Sequence, residues 1–134
     1  MAKTTRTPYN ASRWITKFVS SSTTLEFKHT GQCIFVTANE SIDLNVSFLD
    51  NGSYFKIILR EDASNDVKII FPSVEGVVVY DDGNGVGVVN VGVGGLKTLV
   101  LPSGCSAGTY IDLICDGDKW YATGMGHGAI IIQE

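Results

Sequence analysis

Residues 42–59, IDLNVSFLDNGSYFKIIL, decide the fold class of this 134-residue chain. In residues 42–48 every second side chain is apolar and the intervening ones are polar, which is the two-residue period of a strand with one buried face. Residues 55–59 repeat that period, with Ile58 as the one exception. Asn51-Gly52 lies between the two runs and is a strong turn signal, so the stretch predicts a β-hairpin.

Short runs of the same character continue on both sides of this stretch, separated by Gly, Pro, Asn and Ser. They lie at residues 24–28, 32–37, 67–71, 77–80, 96–101, 110–115, 120–123 and 129–132. No window beyond the N-terminal region keeps a helical period. The sequence therefore predicts an all-β domain over residues 21–134, an antiparallel β-sandwich or jelly roll of about ten short strands.

Residues 1–20 predict an extended N-terminal arm with an apolar cluster that includes Trp14, Ile15 and Phe18. We expect this cluster to pack against the protein's own core or against a partner subunit, and a short helical turn would bring Trp14 beside Phe18.

Residues 1–25 carry four cations and no acid. The net charge of −4 therefore leaves −8 on the rest of the chain, since −4 − (+4) = −8. Such an arm can dock on an acidic neighbour or remain a solvated tail.

Residues 83–95, GNGVGVVNVGVGG, combine valines with glycines in an unusual way. The valines change face along the run, which predicts a phase slip supplied by a β-bulge. Gly87, Gly92 and Gly94 leave little side chain opposite the valines, which is typical of a close backbone contact near a symmetry axis. A loop with a weak strand is the alternative.

Near the C-terminus, Ile130 and Ile132 are apolar enough to predict that the C-terminal strand adds to a neighbouring subunit.

Gly104-Cys105-Ser106-Ala107-Gly108 matches the G-x-S-x-G nucleophile motif. That motif needs a strand-to-helix turn, whereas a strand is predicted to follow here, so we expect a plain turn and no catalytic residue. Residues 83–87 lack the helix that a phosphate-binding loop must open.

Asp81-Asp82-Gly83-Asn84 and Asp116-Gly117-Asp118 gather oxygen ligands, as calcium sites do, but Asp and Asn also favour turns for backbone reasons. The three cysteines form no C-x-x-C pair and are expected to be buried and reduced, as in a cytosol. We therefore expect no metal and no other cofactor. The acidic body disfavours nucleic acid as a partner, and no apolar stretch is long enough for a membrane span.

Residues 108–121, GTYIDLICDGDKWY, predict a closing hairpin with an Asp-Gly turn and a Trp at the start of the second strand. This segment resembles the closing hairpin of β-sandwich modules in tailed-bacteriophage structural proteins. Residues 65–72, NDVKIIFP, are similar to an earlier strand of those modules. The resemblance covers about half of the chain.

That resemblance implies a non-enzymatic homotrimer on the virion surface, made in the host cytoplasm. The length and the lack of an internal repeat favour a capsid decoration protein, with the major capsid protein or another virion protein as partner. The basic, aromatic arm suits a protein that grips a shell or exchanges its arm with a sister subunit. Two alternatives stay open, namely a phage fibre or receptor-binding, lectin-like module, and a host structural protein with the same fold.

Overall fold

The computed structural model describes residues 15–26, 29–46, 51–71, 74–81, 86–91, 98–127 and 131–133. For residue 15 and for residues 74–81, 86–91 and 131–133 the description is limited to the backbone. Twelve strands and no α-helix lie in these ranges. The strands are β1 (Ile15–Val19), β2 (Thr23–Leu25), β3 (Gln32–Val36), β4 (Ile42–Val46), β5 (Tyr54–Leu59), β6 (Val67–Ile70), β7 (Val74–Asp81), β8 (Val86–Val91), β9 (Thr98–Leu101), β10 (Tyr110–Cys115), β11 (Trp120–Gly126) and β12 (Ile131–Gln133).

The strands form two mixed sheets. The larger has seven strands in the order β1-β3-β5-β10-β11-β7-β8, and the smaller has five in the order β12-β9-β6-β4-β2. Along the first half of the chain consecutive strands alternate between the sheets, so that β1, β3 and β5 run parallel in one and β2, β4 and β6 run parallel in the other. The return strands β9 and β10 then pair antiparallel with β6 and β5.

The prediction of a nearly all-β protein is confirmed in the described residues, but the prediction of antiparallel pairing is wrong for half of the observed pairs. Five of the ten strand pairings are parallel: β1 with β3, β3 with β5, β2 with β4, β4 with β6 and β7 with β11. A two-residue period shows which face of a strand is buried, and it is the same whether the neighbouring strand runs parallel or antiparallel.

The predicted hairpin over residues 42–59 is wrong for the same reason. A turn does form at Asn51-Gly52, where Gly52 has a φ of 83° and its N–H donates to the Cys115 carbonyl oxygen at 2.8 Å. However, β4 pairs with β2 and β6, while β5 pairs with β3 and β10 in the other sheet. The connection therefore carries the chain from one sheet to the other.

One apolar core joins the two sheets. Its cluster of buried residues includes every second residue of β4, β5 and β10, together with Ile34 and Val36 of β3, as the periodicity predicts. Trp120 is fully buried and stacks on Phe55, with ring centroids 5.8 Å apart. The hairpin predicted over residues 108–121 is confirmed, since Cys115 pairs with Trp120 across its closing end.

Residues 15–19 of the predicted arm form β1, an edge strand of the larger sheet, and so do not form a helical turn. Val19 is buried in the core cluster, and the Phe18 and Phe35 rings stack with centroids 5.5 Å apart. Trp14 lies outside the described residues.

The predicted phase slip in the glycine-rich segment is confirmed. β8 pairs antiparallel with β7, and the register shifts twice, between Val79 and Tyr80 and between Tyr80 and Asp81. The shifts leave Val89 and Gly87 as extra residues of β8, which is the geometry of β-bulges. The described chain contains no helix long and apolar enough to cross a bilayer.

Gly124→Ala should destabilise the fold, because β11 and β10 approach closely at this position. A Cβ atom added to Gly124 would lie 2.7 Å from Ile111 Cδ1 and closer still to the Tyr110 carbonyl oxygen. We expect a loss of about 1–3 kcal/mol in the free energy of unfolding, measured by urea denaturation. Thr123→Ala at the adjacent exposed position is the control and should change it by less than about 0.5 kcal/mol. Equal stabilities for the two variants would contradict this packing.

Candidate functional site

The outer face of the larger sheet carries an unusual amount of apolar surface. Strand register aligns one residue from each of five neighbouring strands across this face. We call this set the aromatic row; it consists of Phe18, Phe35, Ile58, Tyr110 and Met125. Phe18 is 63% exposed and Met125 is 50% exposed, and the other three are half-buried. Solvent therefore reaches a row of large side chains that crosses most of the sheet.

Two cations lie on the rings of the aromatic row. The Arg60 guanidinium carbon is 4.9 Å from the centroid of Phe18, and Lys56 Nζ is 4.3 Å from the centroid of Tyr110. Both distances are within the range of cation–π attraction. The row therefore presents aromatic surface and positive charge together.

A second row of residues, which we call the polar row, lies beside the aromatic row on the same face, two residues along each strand. Its residues in register are Thr16, Cys33, Lys56, Asp112 and Thr123. Lys56 Nζ lies 3.7 Å from Asp112 Oδ1, and the Tyr54 hydroxyl donates to the same oxygen at 2.9 Å. Asp112 therefore ties Tyr54 to Lys56, which in turn lies over the ring of Tyr110.

This environment raises the pKa of Tyr54 from about 10 to about 12, mainly through burial and secondly through the hydrogen bond to Asp112. Burial also raises the pKa of the Cys33 thiol, against a smaller lowering by Lys56. Both groups therefore stay protonated at neutral pH. Neither is activated as a base or a nucleophile, so the polar row is suited to holding the face in shape and to binding.

The outer face of the smaller sheet is different in character. Its residues in register are Thr24, Asp43, Asn45, Lys68 and Thr98, together with the two apolar residues Ile70 and Val100. Val100 is buried and Ile70 is half-buried. Among the described side chains, the large exposed hydrophobic residues all belong to the larger sheet: Phe18, Ile114 and Met125. The larger sheet therefore provides the candidate site.

A group of acidic residues lies next to the aromatic row. Strands β3 and β5 are parallel, so both have their C-terminal ends at the same end of the sheet. The connections to the smaller sheet begin there. Those connections, residues 37–41 and 60–66, carry what we call the acidic rim: Glu40, Glu61, Asp62 and Asp66. Glu40, Glu61 and Asp62 are exposed.

The G-x-S-x-G motif forms a hydrogen-bonded loop that leads directly into strand β10. All five backbone N–H groups of residues 104–108 donate hydrogen bonds. Their acceptors, in chain order, are the carbonyl oxygens of Ala63, Pro102 and His127, the Oδ1 atom of Asp62, and the carbonyl oxygen of Leu59. In a nucleophile elbow the N–H of the residue after the serine stabilises the oxyanion, but here the Ala107 N–H is taken by Asp62 at 2.9 Å. The loop geometry favours a structural role for the motif.

The Asp116 carboxylate closes the turn between β10 and β11. Its Oδ1 accepts from the N–H groups of Asp118 and Lys119 at 2.8 Å, and its Oδ2 accepts from the Tyr121 hydroxyl at 2.9 Å. The Lys119 N–H and then the Asp118 N–H make the largest contributions to lowering the pKa of Asp116. No group of three or more His, Cys, Asp or Glu residues in the described ranges is placed to hold a metal ion. Asp82, Gly83 and Asn84 of the other candidate turn lie outside those ranges.

The predicted interface residues are only partly described. Phe18 is exposed at the edge of the aromatic row. Ile15 lies in β1, Gly87 at a bulge of β8 and Ile132 in β12, where only the backbone is described. The remaining four, Trp14, Gly92, Gly94 and Ile130, lie outside the described residues. The three cysteines are buried and unpaired, as predicted.

The aromatic row was not predicted from the sequence as a unit. A signal was present, because Ile58 interrupts the alternation of β5 and is a member of the row. Phe35 and Met125 give the same signal, because each is a large apolar residue on the outward face of its strand. Strand order is needed to show that these exceptions align.

The comparisons with known proteins identify no relative. No family model, no curated protein and no solved structure matches this chain.

Asp112→Ala should lower the pKa of Tyr54, because it removes both the hydrogen-bond acceptor and the negative charge. The pKa should stay above 10, since burial is the largest cause of its shift. The measurement is a spectrophotometric titration of tyrosinate, with Tyr54→Phe assigning the transition near pH 12 and Asp116→Ala as the carboxylate control. In the native protein the raised pKa contributes stability that is complete below about pH 10 and is lost as the pH rises through about 12. A Tyr54 transition unchanged by Asp112→Ala would contradict the described hydrogen bond.

Proposed function

We propose that this protein is a non-enzymatic structural protein that works by assembly with other protein surfaces. The observation that carries the proposal is the aromatic row, which is exposed on a sheet face and carries two cations. Aromatic residues, Met and Arg are the types enriched in protein interfaces. Burying apolar surface of this kind contributes roughly 25 cal/mol per Å² before the costs of association.

The most specific form of the proposal is a capsid decoration protein of a tailed bacteriophage, a homotrimer on the virion surface that binds the major capsid protein. Its support is the resemblance of residues 108–121 to the closing hairpin of phage β-sandwich modules, together with the fact that this segment forms a hairpin. The core shared by the two sheets also supports a β-sandwich. Jelly-roll connectivity stays a prediction.

The loop chemistry supports a role without catalysis. The motif that most resembles a catalytic one has its backbone donors engaged in hydrogen bonds, including the donor that an oxyanion would need. The tyrosine with a strongly shifted pKa is shifted away from neutrality. These features suit a rigid scaffold.

A glycan-binding module, as in a phage fibre or receptor-binding protein, is the second candidate. One observation favours it: Tyr54 and Tyr121 are aligned with Ile114 in a third row on the same outer face. Their hydroxyls donate to Asp112 and Asp116, so rings and carboxylates lie together, as in many sugar sites.

Native mass spectrometry combined with analysis of purified particles tests the proposal. We expect a mass three times that of the 14.4 kDa chain and recovery of the protein with particles at fixed stoichiometry. A glycan array should show no binding. Specific glycan binding that Tyr121→Ala abolishes, but Lys68→Ala on the opposite sheet does not, would favour the second candidate. Turnover of an ester or nucleotide by the pure protein would contradict the proposal.

A further inference from the structure

The edges of the larger sheet are poorly suited to pairing with another chain. At one edge, Lys17 of β1 is in register with the fully buried Ile34, so alternation directs a charged side chain toward the core side of the edge strand. At the other edge, β8 carries two register shifts. Inward charges and bulges are both devices by which proteins discourage strand addition. Association of this sheet with another protein is therefore expected to use its face.

The face and the rim carry opposite charges. The polar row carries the cation Lys56 and the acid Asp112, and Arg60, from the connection that follows β5, lies over the Phe18 ring of the aromatic row, so the face has a charge of +1 (+2 − 1). The acidic rim carries four carboxylates, and Arg60 is the one cation in residues 37–41 and 60–66. The whole chain has a net charge of −4, so copies of this protein repel one another unless cations meet carboxylates in the contact.

We propose that the occupant of the aromatic row is the acidic rim of a second copy of this chain. In that contact Glu40 and Glu61 of one copy approach Arg60 and Lys56 of the other, while Phe18 and Met125 are withdrawn from water. The same chain supplies both halves of the contact, and a contact between two different patches closes into a ring when its rotation allows. This inference rests on the proposed assembly function and deepens it by naming the two surfaces.

Charge reversal tests the contact, because each half can be inverted separately. Arg60→Glu should weaken self-association about tenfold or more, measured by sedimentation equilibrium, since it places like charges opposite each other. Glu40→Lys combined with Glu61→Lys should have a similar effect. A chain carrying all three substitutions again places opposite charges at position 60, while Lys56 then faces cations. It should regain part of the association that Arg60→Glu alone loses.

Two further variants separate this contact from a general charge effect. Lys68→Glu makes the same change of charge as Arg60→Glu but lies exposed on the outer face of the smaller sheet, so it should leave association unchanged. Phe18→Ala removes exposed apolar surface from the row and should weaken association without loss of fold. Circular dichroism and thermal unfolding verify that each variant is folded.

The inference is overturned if Arg60→Glu and Phe18→Ala associate as the natural chain does, or if the triple variant remains dissociated. It is also overturned if the natural chain is monomeric at about 100 µM, a concentration at which a specific contact of micromolar affinity is nearly saturated. The proposed function is judged separately, by recovery of the protein with particles. A chain that joins particles but shows no dependence on Arg60 retains the function and refutes the contact.

Discussion

The structure depends on one apolar core that two sheets must cover together. Because consecutive strands from β1 to β6 lie in alternate sheets, each turn carries the chain across the core, and parallel neighbours accumulate in both sheets. The fully buried residues Leu44 in β4 and Ile57 in β5 belong to the same cluster although their strands never pair. Burial, and not hairpin formation, therefore organises this half of the chain.

Side-chain alternation in the sequence was sufficient to predict most strands and their buried faces, because that period is imposed by the core itself. It could not predict strand partners. Asn51-Gly52 has the residues of a hairpin turn and adopts a positive φ at Gly52, yet it connects two sheets. Asp116-Gly117 closes a true hairpin, since its carboxylate binds the amides of its own turn. Both places have Asn or Asp before a glycine with a positive φ, so the residue types alone do not show which turn closes a hairpin.

The candidate site was predictable only in fragments. Each strand contributes only one residue to the aromatic row, and a single exposed apolar residue needs no explanation. The row exists because parallel register places Phe18, Phe35 and Ile58 side by side, and antiparallel register adds Tyr110 and Met125. The two-residue period contains no information about which residues of neighbouring strands pair, so the sequence could not show this surface.

The same topology also accounts for where the charges lie. The C-terminal ends of parallel neighbouring strands lie at the same end of a sheet, so the connections that leave β3 and β5 are neighbours. Their acidic residues therefore form one rim. The last outward residue of β5 is Ile58, and Arg60 follows two residues later over the ring of Phe18. Aromatic surface, cation and carboxylates are thus placed in sequence across a few residues of one sheet end. A hairpin-built sandwich would have divided these groups between opposite ends, so the parallel crossovers are what make a contact between face and rim possible.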